Sequence, residues 1–398
     1  MHITSMRCLM AGALLLLSQI EAAADVPVRV VRFDDIKPAG ATLSGTFGAI
    51  GLDPQEQVYA TLCNSNQTNG DCYLFRWNPK TGKRQYLGSL VQSAKSVGNI
   101  GPNEYWPNKE VIVKGHTPNV FLGGTMWMGT MGAHDLNPRS ELRGIHIFGY
   151  NIAANTLVDH SQWQPKGVFK EHDGMFALDA YPDKNLLVGI GPADCTIITY
   201  NPGTRQTKKI PGLPKEDNPQ LSGRGMTIVG GKVIYQCGSA RTPMSIYDLN
   251  TAQRKVIDFP GNAVLTLGYV PTRDKSKVYI SDQKTIYEFN TATERFRTVA
   301  TFDPTGVARQ VSPPALSRDE KKLYYVINQS GVDGGTYIDD LYEYNLGTNK
   351  RTKLMNLKAA MGGGAKVSGT KATASSGKIY FAFNANKVGV LEVDVSNR

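Results

Sequence analysis

The sequence predicts an all-β protein, a seven-bladed β-propeller closed by pairing of its N-terminal strand with the last blade. Three features predict it. A strand–turn–strand segment recurs along the chain, a second hairpin precedes most copies, and a β-branched run near the N-terminus has no hairpin partner close by. A repeat of this kind cannot bury its faces alone, so copies stack, and a ring is the closed way to stack them.

In chain order, the first segment lies outside the fold. Arg7 gives a short basic start, Cys8 to Ile20 is apolar, and Ala22, Ala23 and Ala24 supply a small-residue cleavage site. Residues 1–24 are therefore expected to be a signal peptide, and 25–398 a single β-propeller domain. The apolar run is shorter than the roughly 20 residues of a membrane span. Export to a secreted or periplasmic location follows, with no membrane partner. The run Val26-Pro-Val-Arg-Val-Val-Arg-Phe then opens the mature chain and is predicted to pair with the final blade, leaving no open sheet edge.

The repeat begins with Tyr73-Leu-Phe-Arg-Trp-Asn-Pro-Lys-Thr-Gly and Ile147-Phe-Gly-Tyr-Asn. It continues as Ile197-Ile-Thr-Tyr-Asn-Pro-Gly-Thr, Met244-Ser-Ile-Tyr-Asp-Leu-Asn-Thr, Ile286-Tyr-Glu-Phe-Asn-Thr-Ala-Thr and Leu341-Tyr-Glu-Tyr-Asn-Leu-Gly-Thr. A degenerate seventh copy is Val390-Leu-Glu-Val-Asp. The aromatic or apolar anchors are Trp77, Tyr150, Tyr200, Tyr247, Phe289, Tyr344 and Val393, about 40 to 55 residues apart except for one longer gap after Trp77. Hairpins such as Gly225-Met-Thr-Ile-Val-Gly-Gly-Lys-Val-Ile-Tyr-Gln-Cys precede the copies, so each repeat makes a four-stranded blade. The longer gap carries a loop with Tyr105 and Trp106, placed where it could cover one face as an aromatic platform.

The chain carries a formal net charge of +10, which favours an acidic ligand. The Lys and Arg residues are scattered through turns without a basic run, so no nucleic-acid partner is expected. Beyond Cys8, four cysteines remain, Cys63, Cys72, Cys195 and Cys237, and four allow three pairings. An oxidising compartment favours disulfides among them. Cys63–Cys72 would close a short loop, and Cys195–Cys237 would tie neighbouring blades.

The five histidines of the mature chain fall between residues 116 and 172. In a propeller the segment leading into the innermost strand of a blade and the segment leaving its second strand emerge on one face. The innermost strand of the second blade is expected to start near His116-Thr-Pro-Asn119. Its second strand, which contains Trp127, is expected to run out at His134. His116 and His134 would then flank one hairpin at the same end. His172 and Asp194 take matching places in the third blade, Arg224 and Arg241 in the fourth, and Gln310 in the sixth. His146 falls in the third-strand region and His160 in the outer strand, and both read as structural.

A mouth lined by His and Arg on an exported basic propeller suits β-elimination on a uronate-containing polysaccharide. The substrate carboxylate must be neutralised so that the C5 proton can leave, and arginine does this in bidentate fashion. Histidine serves as base or acid near neutral pH. His116 or His134 is expected as base, the other as acid or clamp, and Arg224 or Arg241 as neutraliser. Asn119, Trp127, His172, Asp194, Gln310, Tyr105 and Trp106 are expected to bind substrate. The stretch His116-Thr-Pro-Asn … Trp127-Met-Gly … His134 resembles the histidine-bearing second-blade hairpin of the seven-bladed polysaccharide lyases, the ulvan and rhamnose–glucuronate lyases. The resemblance implies a histidine pair lining the cleft and an arginine on the uronate. Some of those lyases place that arginine in the third blade, where this chain has Gly191-Pro-Ala-Asp194.

No cofactor is expected for this chemistry. A metal-dependent oligouronide lyase is the alternative enzyme, with His116, His134, His172 and Gln310 holding Mn or Zn. A lactonase or hydrolase with bound Ca is a third, and a non-catalytic carbohydrate- or protein-binding propeller a fourth. In each case the partner is an acidic polysaccharide, oligosaccharide or protein, and the chain is expected to act as a monomer.

Overall fold

A computed structural model describes residues 26–65, 70–100, 112–132, 146–161, 174–191, 195–212, 222–237, 243–261, 268–282, 284–301, 309–329, 338–362, 366–373, 375–384 and 387–398. The expected signal peptide lies outside these. The described residues form seven antiparallel sheets. A first strand, β1 (Val28–Arg32), precedes the blades. Blade 1 holds β2 (Ile50–Leu52), β3 (Val58–Asn64), β4 (Asp71–Trp77) and β5 (Arg84–Ser89), followed by a short helix α1 (Leu90–Ser96). Blade 2 holds β6 (Ile112–Gly115), β7 (Val120–Leu122), β8 (Thr125–Gly132), β9 (Ile147–Asn151) and β10 (Thr156–Asp159). Blade 3 is β11 (Ala177–Tyr181), β12 (Leu186–Ile190), β13 (Ile197–Asn201) and β14 (Gln206–Ile210). Blade 4 is β15 (Ser222–Val229), β16 (Lys232–Cys237), β17 (Met244–Asp248) and β18 (Arg254–Ile257). Blade 5 is β19 (Gly268–Pro271), β20 (Lys277–Ser281), β21 (Thr285–Asn290) and β22 (Arg295–Thr301). Blade 6 holds β23 (Arg309–Val311), β24 (Ala315–Leu316), β25 (Lys322–Gln329), β26 (Ile338–Asn345) and β27 (Lys350–Asn356), then a single helical turn, α2 (Lys358–Met361). Blade 7 is β28 (Lys366–Ala372), β29 (Lys378–Asn384) and β30 (Gly389–Asp394), completed by β1.

The ring closes as the sequence predicts. β1 runs antiparallel to β30 with Val28 opposite Val393 and Arg32 opposite Gly389. The last sheet thus takes its outer strand from the start of the chain and its other three from the end.

The repeated segment owes its form to two local interactions. The anchor residues sit on the third strand of each blade and are buried between blades. The Asn or Asp after the anchor closes the next turn. The side chain of Asn78 accepts from the N–H groups of Lys80 and Thr81, and Asn201, Asp248, Asn290 and Asn345 do the same two and three residues on. The turn then needs one residue of positive φ, which Gly82 supplies in the first blade at 73° and Arg205, Ala252, Glu294 and Asn349 supply later at 54–58°.

A second repeated device lies within the last three blades. On the second strand Lys277, Lys322 and Lys378 stand two residues before Tyr279, Tyr324 and Tyr380, and across from them stand Glu288, Glu343 and Glu392. Lys322 Nζ lies 3.2 Å from Glu343, the Tyr324 hydroxyl donates to it at 3.1 Å, and Arg398 Nε at 3.2 Å. Glu288 receives Lys277 at 3.3 Å, Tyr279 at 3.1 Å and Arg297 at 2.9 Å. Burial pulls the Glu288 pKa up, but the Arg297 and Lys277 cations outweigh it and hold the carboxyl below its ordinary value. Glu392 receives Lys378 at 3.3 Å and Arg29, from β1, at 3.0 Å.

Candidate functional site

Each innermost strand runs from one face of the ring to a tight hairpin at the other, so the mouth is the end at which these strands begin. At the hairpin end the pairing is regular, as in Leu122 opposite Thr125, Val229 opposite Lys232 and Leu316 opposite Leu323. Toward the mouth, blades 1, 2, 4, 6 and 7 depart from it, blade 1 between Gly45, opposite Cys63, and Ile50, opposite Ala60. In blade 2 the inner strand breaks between β6 and β7 at His116–Asn119. In blade 4 the register shifts between Ser222 and Met226, in blade 6 the strand breaks between Val311 and Ala315, and in blade 7 it shifts between Val367 and Gly369. Such irregularities bend a strand and re-aim its side chains.

The breaks in blades 2 and 6 share one local chemistry. Thr117 Oγ1 accepts the Gly129 N–H at 2.8 Å and faces the Pro118 carbonyl at 3.1 Å. Ser312 Oγ accepts the Val326 N–H at 2.9 Å and faces the Pro313 carbonyl at 3.2 Å. In each, a hydroxyl just before proline accepts a second-strand N–H in place of a ladder carbonyl where proline interrupts the pairing. His116 therefore occupies the position that buried Val311 occupies in blade 6.

This placement corrects the expected phasing. The inner strand of blade 2 does not start near His116. It starts at Ile112, opposite Gly132, and His116 follows Gly115, which lies opposite Thr130. The His116 ring is only 8% exposed. It stacks against Phe47 of the segment leading into blade 1, at 6.0 Å and 14°, and tilts against Phe176 at the start of blade 3, at 4.7 Å. Lys114 Nζ lies 5.0 Å from the Phe47 ring on the same wall. His116 is thus a mouth-side residue seated in the seam between blades.

Two expected substrate contacts belong instead to the seams. Asn119 is 2% exposed, and its side-chain amide donates to the carbonyls of Ala49 at 3.3 Å and Tyr59 at 3.2 Å while accepting from Thr61 Oγ1 at 3.2 Å. Its carbonyl approaches Gly51 of blade 1 so closely that a Cβ there would lie 2.1 Å from it. Trp127 is 3% exposed. Its indole N–H donates to the Leu122 carbonyl at 3.1 Å, and its ring packs on His160 and Tyr200. Both residues bind blades together, and neither presents a polar atom to a ligand.

The backbone of Arg224 lies within the irregular stretch of β15, and that of Gln310 lies in β23 opposite Asn328. Their side chains, and all of His134, Arg241, His172, Asp194, Tyr105 and Trp106, lie outside the described residues. The structure therefore brings His116, Arg224 and Gln310 to the mouth half of three inner strands by backbone position. Among the described residues no group of three or more His, Cys, Asp and Glu side chains could hold a metal ion.

The other two described histidines have structural settings. His146 Nδ1 lies 2.6 Å from Asp159 Oδ2, both fully enclosed, and Asp159 also accepts the Ser161 N–H at 2.8 Å. His160 packs on Trp127, and burial lowers its pKa, which keeps the ring neutral.

One charged pair on the inner strands escaped sequence reasoning. Asp179 on β11 accepts the Ile228 N–H at 3.0 Å and the Thr227 hydroxyl at 3.3 Å, joining blades 3 and 4. Burial raises its pKa, and burial lowers that of Lys371 on β28, with each charge opposing the other's shift. The two stand on the inner strands of blades 3 and 7, so opposite charges act across the ring's axis. The only sequence signal was a polar residue at an inward position of each strand.

No protein-family model matches the chain, and no curated protein matches it. Solved structures do. The β-propeller domain of Swd1 from Myceliophteria thermophila superposes with a TM-score of 0.57 at 9% identity, over 93% of this chain and all 100% of that one. The WD40 repeats of RRP9 give 0.57 at 11% identity, over 94% of this chain and 99% of the other. The extracellular domain of the putative hybrid two-component system BT3049 from B. thetaiotaomicron gives 0.55 at 12% identity, over 88% of this chain and 40% of that one. At such identities the likeness establishes the propeller fold alone. These neighbours are not polysaccharide lyases, so the resemblance drawn from the His116–His134 stretch stands without structural support.

Proposed function

We propose that the chain is an exported binding propeller whose mouth takes an acidic polysaccharide or oligosaccharide. The observation that carries this reading is the concentration of inner-strand irregularities at one end of blades 1, 2, 4, 6 and 7. Regular strands suffice to build a ring, so irregularities confined to one end are best explained by side chains aimed at a ligand. The net charge of +10 gives the sign of that ligand. The backbones of Arg224 and Gln310 lie in two of the irregular strands, and Arg241, His172, Asp194, Tyr105 and Trp106 are the further ligand contacts this reading takes from the sequence.

A second reading keeps the lyase chemistry and is favoured by the position of His116 in the broken strand of blade 2. Here His116 or His134 takes the C5 proton, the other acts as acid or clamp, and Arg224 or Arg241 neutralises the uronate. A metal-dependent variant would add Mn or Zn through His116, His134, His172 and Gln310.

His116→Phe separates the readings, because a phenyl ring preserves the stack between Phe47 and Phe176 but carries no proton. Polygalacturonate, alginate and ulvan are mixed with the protein, and both retention on the polymer and ultraviolet absorbance of unsaturated product are followed. Binding alone predicts retention that weakens as salt rises, no absorbance, and no change in H116F. A lyase predicts absorbance that H116F lowers by about a hundredfold or more. Neither retention nor absorbance on any of the three polymers would sink both.

A further inference from the structure

We propose that Cys63 and Cys72 are a disulfide site, oxidised while blade 1 is still open and then sealed by the docking of blade 2. The two residues are directly opposite each other on β3 and β4. Cys63 gives its N–H to the Gly45 carbonyl at 2.8 Å and its carbonyl to the Gly45 N–H at 3.0 Å. Both backbone groups of a strand residue point to the same side, so those of Cys63 point away from β4. Cys63 and Cys72 are therefore a pair without ladder bonds between them, the kind whose Cα atoms lie about 4.5 Å apart. That separation is inside the range a disulfide spans.

The sulfurs already face each other. Cys72 Sγ lies 2.7 Å from Cys63 Sγ, closer than ordinary sulfur–sulfur contact, with no bond drawn between them. Cys195, by contrast, is disulfide-bonded. The pair is braced by the strand that leads to His116. The Gly115 N–H points at Cys63 Sγ from 3.1 Å, and the Ile112 carbonyl faces Cys72 Sγ at 3.7 Å. Ile112, Met126, Met128 and Phe148 of blade 2 close over both sulfurs, leaving each 0% exposed. Burial, with Cys63 alongside, pushes the Cys72 thiol well above its ordinary pKa, so the folded pair resists ionisation and attack.

That seal dictates the order of events. An oxidant of the disulfide class must reach the β3–β4 hairpin before blade 2 docks. One cysteine thiolate attacks it and forms a mixed disulfide, releasing one thiol. The second cysteine then attacks the first, the S–S bond forms, and the other half of the oxidant leaves as a thiol. Two cysteine protons and two electrons are lost, and one external disulfide is reduced to two thiols. The bond would fasten the two central strands of blade 1 beneath β6 and fix the backbone from which His116 projects.

The test is refolding of the full chain in a buffer of reduced and oxidised glutathione, which makes the outcome independent of the cell compartment and of any ligand. After refolding, the chain is unfolded in guanidinium with N-ethylmaleimide and digested. The expected product is a peptide pair linked through Cys63 and Cys72, with neither residue labelled until reductant is added. In C63S, Cys72 should label fully without reductant. Chain folded first with these thiols reduced, and only then given oxidised glutathione, should form the link many-fold more slowly than chain refolded in its presence. Labelling of both residues in the refolded wild type, or linkage of either to another cysteine, would overturn the site. Equal rates in the folded and refolding chains would overturn the sealing.

Discussion

Deleting residues 25–33 is expected to abolish the cooperatively folded monomer. The deletion removes the outer strand of blade 7 and with it the closure of the ring. It strips the partner from Gly389 to Val393 along β30 and opens two core clusters, one holding Val26 and the other Val31 and Phe33. Burying three such side chains contributes on the order of 6 kcal/mol. Whole domains are stable by only about 5–15 kcal/mol. Two polar ties go as well: Arg29 stacks over Trp77 at 4.5 Å while bonding Glu392, and Arg32 donates to the Met361 carbonyl at 2.7 Å. The opened edge of β30 is then free to pair with other chains. Thermal unfolding followed by circular dichroism, with size-exclusion chromatography, should show aggregate or a broad transition. A truncated chain that melts sharply within a few degrees of the full one would contradict closure by this strand.

The second large effect is expected from Glu343→Ala. Glu343 is 10% exposed and accepts from Lys322, Tyr324 and Arg398 together. Removing it takes the acceptor from a tyrosine hydroxyl at 0% exposure and one shared carboxylate from Lys322 and Arg398. The carboxylate also accounts, after burial, for the raised pKa of Tyr324, so the phenol stays a donor throughout the physiological range. Breaking such an enclosed pair costs about 3 kcal/mol, the lower end of the range because both cations retain some solvent. Asp35→Ala is the matched control, since Asp35 is 61% exposed in its pair with Arg84 and should leave stability nearly unchanged. Urea unfolding of both variants measures the difference. Equal effects would mean that the Lys–Tyr–Glu arrangement of the last three blades carries no stability of its own.

The fold was legible because its determinants are local and repeated. An anchor such as Tyr200, an Asn201 that folds its side chain over the next turn, and a residue that accepts positive φ recur blade after blade. The N-terminal strand was legible because a β-branched run without a neighbour must find a distant partner. The site was less legible, and blade 2 shows why. The His116-Thr-Pro-Asn stretch reads as the start of a strand because proline ends ladder pairing. Here the Thr117 hydroxyl accepts the Gly129 N–H in place of a ladder carbonyl, and the strand extends four residues further toward the mouth, to Ile112. Nor does residue type distinguish a ligand contact from a seam contact. Asn119 and Trp127 have the side chains of a sugar-binding site, yet their polar atoms are fixed by carbonyls of the protein itself. The Lys–Tyr–Glu groups escaped notice because they join residues from two or three strands, and only the pairing register brings them together.

The most direct measurement is hydrogen–deuterium exchange of the full chain with and without polygalacturonate, ulvan or alginate, whichever polymer retains it. A ligand at the mouth predicts slowed exchange in peptides covering Ile112–Asn119, Ser222–Met226 and Arg309–Ser312, with the turns after Asn78, Asn201 and Asn290 unchanged. Slowed exchange at those outer turns, with the inner strands unaffected, would place the ligand on the rim and contradict a functional mouth.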